Sequence, residues 1–189
     1  MQNGSRADFG EAMSQIFENW IWDYDVLKTF AKHYETGEVL PEETLQKMIA
    51  AKTVTSGLSA QRSAEYAMYD MTLYNKYDPA KTMDTDDIWR SLAERMAYSY
   101  YVEGTHPQAA WIHINTHPCY SYGYLWSEVY SQDMFTLFEE KGLRDTATGV
   151  LYRDLILANG TQRPIDEAVE EFLGRASNNE AYVRSLGLD

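Results

Sequence analysis

The stretch YGYLWSEVYSQDMFTLFEEKG, residues 122–142, decides the fold class. It is the strongest amphipathic helix signal late in the chain, and Lys141-Gly142 stops it, because a glycine just past the last turn accepts the backbone that ends a helix. Working outward, the helical period continues. Downstream it predicts three shorter helices, at about 146–158, 164–173 and 178–186. Upstream, residues 8–22 carry Phe9, Met13, Ile16, Phe17 and Trp20 at 3.6-type spacing, and 24–34 repeat it with Val26, Leu27, Phe30 and Ala31 before Gly37. Pro41 opens the next helix from a first-turn position and carries it to about Thr53. A long helix runs from Gly57 or Ser59 through Tyr77 and stops at Asp78-Pro79, since proline disfavours the α region at the residue before it. Asp84 or Thr85 caps another over 86–99, with acids in its first turn. The exception is 100–121, where His106-Pro107 and His117-Pro118 interrupt; an irregular loop this long inside a compact domain is more often functional than not. No strand alternation, repeat or linker is visible. The chain reads as one all-α domain over 1–189, a bundle of about nine to ten helices.

Composition narrows the function. The chain has 189 residues, 16 basic and 29 acidic, for a net charge of −13. A surface of that sign disfavours nucleic acid and anionic membranes as partners, because both need a basic face. No run of about 18 apolar residues is present to cross a membrane. Cys119 is the single cysteine, which excludes an intramolecular disulfide framework and a cysteine-rich zinc site. The N-terminus lacks an apolar signal-peptide region, so the expected compartment is cytoplasmic, and the glycosylation patterns at Asn3 and Asn159 are read as chance. Fifteen tyrosines are unusual; an apolar body with a polar tip suits both an aromatic core and a cleft wall.

Three constellations could carry chemistry. On a helix, Glu11, Ser14, Gln15 and Glu18 share one polar face, at offsets of three, four and seven. By spacing this is either a solvated acidic stripe or a face holding one metal ligand. His113 and His117, four apart in HINTHPCY, are either a helical metal pair or loop histidines bonded to backbone, and Pro118 weighs against the helical geometry. Tyr120, Tyr122, Tyr124 and Tyr130 enter the long helix either as core aromatics or with hydroxyls free to donate to an oxyanion. No histidine lies in H-E-x-x-H, and no phosphate loop is present.

Several blocks together resemble one family. DFGEAMSQIFENW, residues 8–20, looks like D-F-x-E-x-P-S-Q-x-x-E-x-W of the thimet oligopeptidase family of zinc metallopeptidases, which includes neurolysin and oligopeptidase A. In order along the chain, VLKTFAKHYETGEVLPEETLQKMIAAK, YDMTLY, YGYLWSEVYSQDMF with GVLYRDLILANG, and FLGRASNNEAYVRSLGL are similar to further family blocks, so the resemblance spans Ala7 to Leu188. It implies that Glu11 is the third zinc ligand, with two histidines and the general base on an H-E-x-x-H helix upstream. The chain would then be the C-terminal part of a longer oligopeptidase, roughly its last third, and one lobe of the catalytic domain. His113 matches the family histidine ahead of a flexible loop, and Tyr124 a tyrosine that stabilises the tetrahedral intermediate; both are expected to be catalytic. His117, Tyr120 and Tyr122 are expected to contact substrate. Departures fall on the loop, which here is shorter and lacks the family's paired glycines; on Ser121, which takes the place of the first tyrosine of a pair that Tyr120 could replace by a one-residue shift; and on Met13, where the family has proline.

The resemblance thus predicts a part of a zinc oligopeptidase acting on short peptides, inactive alone and holding zinc weakly or not at all without its N-terminal partner segment. A face left apolar by that missing part would favour self-association. The rival expectation is a non-catalytic helical module that binds peptides or a partner chain.

Overall fold

The computed structural model describes residues 5–76, 78–96 and 100–188. The expectations for Asn3, Tyr77 and the end of the 86–99 helix lie outside the described residues. Among these there are ten α-helices and no strand; an isolated antiparallel bridge joins Lys32 to Val39. The all-α expectation holds.

Three helix starts follow the capping rule, each with an aspartate at the cap. Asp84 accepts the Asp87 N–H at 2.9 Å and opens α5 (Thr85–Ala93), and Asp145 accepts both the N–H and the hydroxyl of Thr148 at 2.7 Å to open α8 (Thr146–Tyr152). Gly174, at φ 70°, ends α9 (Ile165–Leu173) in the left-handed region. The remaining long elements are α3 (Glu42–Lys52), α4 (Ser56–Asn75) and α7 (Tyr122–Lys141), with α10 (Glu180–Ser185) closing the chain.

Two stretches predicted as single helices are not. Residues 7–11 turn, α1 spans only Ala12–Gln15, and Ile16–Trp22 winds as a 3-10 helix. Tertiary packing sets the tighter winding. Ile16 and Asn19, three apart, are both buried, and Trp20 donates its indole N–H to the Leu143 carbonyl at 2.8 Å while packing edge-on against Phe135 and Phe138. Likewise the 24–34 helix stops at α2 (Tyr24–Leu27). His33 Nδ1 then accepts the backbone N–H groups of Glu35 and Thr36, a local bond that competes with helix.

The helix α7 also differs from its reading. Rather than presenting one apolar stripe, it packs against α1, α4, α9 and α10 and buries Gly123, Ser127, Tyr130, Ser131, Asp133, Met134, Phe135 and Phe138. It is the central element. Its buried Asp133 is matched by Arg175 at 2.5 Å, the Ser177 hydroxyl at 2.7 Å and the Asn178 N–H at 2.9 Å. Asn159 is buried too, its amide turned to the carbonyls of Gly160 and Arg163, so it offers no glycosylation acceptor.

Buried side chains form two clusters. The larger joins Phe9 and Ile16 to Met134, Phe138, Tyr152, Ile156 and Phe172. The smaller gathers Tyr69, Trp89 and Leu92, with Tyr66, Trp111 and Ile114 packed on it. The start of α7 lies between them, and the predicted site residues converge there.

Candidate active site

Glu11 is fixed by its backbone. Its N–H donates to the hydroxyl of the fully buried Ser127 at 3.3 Å, and the Gln15 side chain donates to the Tyr124 carbonyl at 3.2 Å. The chain runs against α7 so closely that a Cβ on Gly123 would lie 2.1 Å from the Ala7 carbonyl oxygen. Only glycine permits that approach. Glu11 is half-buried and its carboxylate accepts a long bond from the Ser14 hydroxyl, 3.4 Å.

The loop entering α7 is held from below. Asp70 of α4, 1% exposed, accepts three consecutive backbone N–H groups, from Cys119 at 2.9 Å and from Tyr120 and Ser121 at 3.0 Å each. Successive N–H groups turned to one point form an anion-binding concavity. Here the anion is a side chain of the protein. This clamp accompanies the left-handed φ of 57° at Cys119, a conformation uncommon outside glycine.

With the loop so placed, four rings form a circuit. His113 lies 5.7 Å from His117, His117 5.7 Å from Tyr120, Tyr120 5.9 Å from Tyr124, and Tyr124 6.3 Å from His113, centroid to centroid. His113 begins the one-turn helix α6 (His113–Thr116), and the His117 N–H closes the turn on the His113 carbonyl at 2.8 Å. Pro118 leaves His117 itself at φ −139°, ψ 62°, outside the α region.

Burial, and then the neighbouring Glu11 carboxylate, hold the hydroxyls of Tyr120 and Tyr124 above the usual tyrosine pKa. Both therefore stay protonated near neutral pH and remain donors. The Tyr120 hydroxyl occupies the space over Gly10, 2.5 Å from where a Cβ would be. Both hydroxyls thus feel the Glu11 charge, and that of Tyr120 stands against the residue before Glu11. On the far side of Tyr124 and His113 a cleft of about 650 Å³ opens toward Arg62, Tyr66 and Trp111.

Glu11, His113, His117, Tyr120 and Tyr124 are thus brought together. Tyr122 is not, since it faces a separate apolar pocket with Leu125 and Trp126. Glu18 also leaves the Glu11 face, because the 3-10 winding turns it into a pocket shared with Glu128 and Lys52. Sequence reading overlooked Asp70, Ser127, Gly123 and Arg62. Asp70 lay inside a matched block, but no local signal marks a carboxylate that bonds residues fifty positions on.

Glu11 is the right donor type for zinc, whose ligands include carboxylate oxygen, but zinc needs about three protein ligands. Among the described residues no group of three His, Cys, Asp or Glu side chains could hold a metal ion.

Comparisons with known proteins place the chain in a family. The chain is 32% identical over 188 residues to oligopeptidase A of Haemophilus influenzae, covering 98% of this chain and 28% of that protein. It is 30% identical over 184 residues to saccharolysin of Saccharomyces cerevisiae (96% and 26%) and 34% identical over 187 residues to a probable cytosolic oligopeptidase A of Arabidopsis thaliana (96% and 27%). The chain therefore spans about a quarter of the length of these relatives, less than the third expected. The model of peptidase family M3 matches residues 2–188, and the chain belongs to that family.

Proposed function

We propose that this chain is the C-terminal part of a cytosolic zinc oligopeptidase, contributing one metal ligand and the donors that face the reacting carbonyl of a short peptide. The observation that carries the reading is the meeting of His113 and Tyr124 on one cleft, with Tyr120 packed on Tyr124 and its hydroxyl over Gly10, the residue before Glu11. Zinc, when bound with histidines from a segment outside this sequence, would polarise the peptide carbonyl and activate water. Everything else falls to the chain itself. Glu11 supplies a carboxylate whose backbone is pinned on Ser127. Tyr124 and His113 donate to the carbonyl oxygen as charge develops there, and such a donor is worth about 3 kcal/mol in a preorganised site. Tyr120 and His117 pack on them and line the approach, and Tyr122 would touch substrate only outside this cluster. The fraction of the relatives covered supports the partial reading, and the name of the Arabidopsis relative supports the compartment.

Metal analysis and a fluorogenic oligopeptide test this. The 189-residue chain is expected to carry no stoichiometric zinc and to cleave nothing. The same chain expressed behind an H-E-x-x-H segment from its own gene is expected to do both, and to lose both on Glu11→Gln. Metal-dependent turnover by the short chain alone overturns its partial role. Indifference of the long form to Glu11→Gln overturns the ligand assignment and favours a non-catalytic binding module.

A further inference from the structure

The cleft beyond Tyr124 and His113 has an unusual lining for so acidic a chain. No carboxylate lines it, although the chain carries 29 acidic side chains. Its wall on α4 presents Arg62 between Ser59 and Ser63, facing Trp111 and Tyr66. Arg62 forms no ion pair among the described residues. Glu65, one turn along, is buried outside the cleft wall and feels the Arg62 charge without bonding it. The guanidinium is nevertheless oriented. It lies over the Tyr66 ring, 5.4 Å from the centroid, and one nitrogen donates to the Tyr66 hydroxyl at 3.2 Å. Tyr66 is fixed in turn, edge-on against Trp111 at 4.5 Å and Trp89 at 5.2 Å. A guanidinium has five N–H donors, so one bond to Tyr66 leaves the fork that a carboxylate takes in bidentate fashion.

We propose that this cleft seats the C-terminal end of a peptide and that Arg62 takes its terminal carboxylate, with the Ser59 and Ser63 hydroxyls beside it. The inference rests on the peptidase reading above. It adds a determinant of specificity: a peptide whose carbonyl meets Tyr124 would be gripped by its own free end, which selects short C-terminal segments. The volume suits such an occupant, since ligand clefts run from about 300 to 1,000 Å³. An internal stretch of a long chain carries no charge there and would leave Arg62 unpaired.

The test uses two probes, an N-acetylated alanine tetrapeptide with a free C-terminal carboxylate and the same peptide as its C-terminal amide. Binding to the 189-residue chain is followed by calorimetry, with the intrinsic fluorescence of its tryptophans as a second readout. The acid is expected to bind at least tenfold more tightly than the amide. Arg62→Gln is expected to remove that preference, and Arg62→Lys to keep part of it. The comparison on the unaltered chain decides the matter even if a variant fails to fold. Equal affinity for acid and amide overturns the role of Arg62 and leaves the peptidase reading standing. Failure of both peptides to bind overturns this inference, whereas the zinc and Glu11→Gln experiment judges the underlying reading separately.

Discussion

Asp70 and Tyr120, fifty residues apart, are joined by a backbone N–H to carboxylate bond of 3.0 Å, and the same carboxylate binds the N–H groups on either side. The clamp fixes the step into α7 from which Tyr120 and Tyr124 project. Asp70→Ala would leave three buried donors with no acceptor, and each unsatisfied buried group costs about 1–3 kcal/mol. Partial access to water lowers the sum, and a loss of about 3 kcal/mol in urea unfolding is expected. An unchanged midpoint would show that the loop holds itself.

Glycines on two helices should respond in opposite directions. At Gly123 an added methyl meets the Ala7 backbone at 2.1 Å, and backbone cannot rotate aside. Gly123→Ala is expected to cost about 2 kcal/mol or more and to part residues 6–11 from α7. At Gly149, inside α8, nothing lies within 4 Å, so Gly149→Ala should stabilise by about 0.5–1 kcal/mol. Thermal melting of the two variants checks the sign of each.

The central helix carries an acid-sensitive contact. Arg175, Ser177 and the Asn178 N–H outweigh burial and hold Asp133 below the usual aspartate range. A carboxylate with a folded value under its unfolded value of about 3.9 contributes stability that is present above that value and lost as pH falls through the lower one. Stability should therefore drop below about pH 4, and the drop should shrink in Asp133→Asn. That variant should be less stable at pH 7 by about 2 kcal/mol, modest for a buried pair because Arg175 is 42% exposed. Denaturant titrations from pH 7 down to pH 3 measure both effects.

Large apolar side chains stand in solvent. Phe30 is 60% exposed, Tyr34 88%, Val54 76% and Ile112 67%. Where such side chains adjoin one another they favour association. The 189-residue chain is expected to self-associate, with a weight-average mass that rises with concentration in sedimentation equilibrium. A single monomer mass from micromolar to millimolar protein would contradict this.

Helix content, the Asp84 cap and the stop at Gly142 were legible along the chain, because each depends on residues within one turn of each other. The boundaries at 8–22 and 24–34 were not. The packing of the partly buried Trp20 and the His33 side chain altered winding that periodicity alone made α-helical. The site was legible in its residue types and only partly in its grouping. Glu11, His113, His117, Tyr120 and Tyr124 were singled out and do converge, whereas Tyr122, equally plausible by spacing, faces the other way.

Period, charge and matched blocks, read along the chain, establish an acidic, all-helical member of peptidase family M3 with Glu11 as a candidate ligand, since each is legible without knowing which surfaces pack. That α7 is central, that Asp70 and Gly123 set the position of Tyr124, and that Arg62 faces the same cleft emerges from packing alone. Those facts join residues fifty to more than a hundred positions apart. They depend on which surfaces pack together, and no local pattern encodes that.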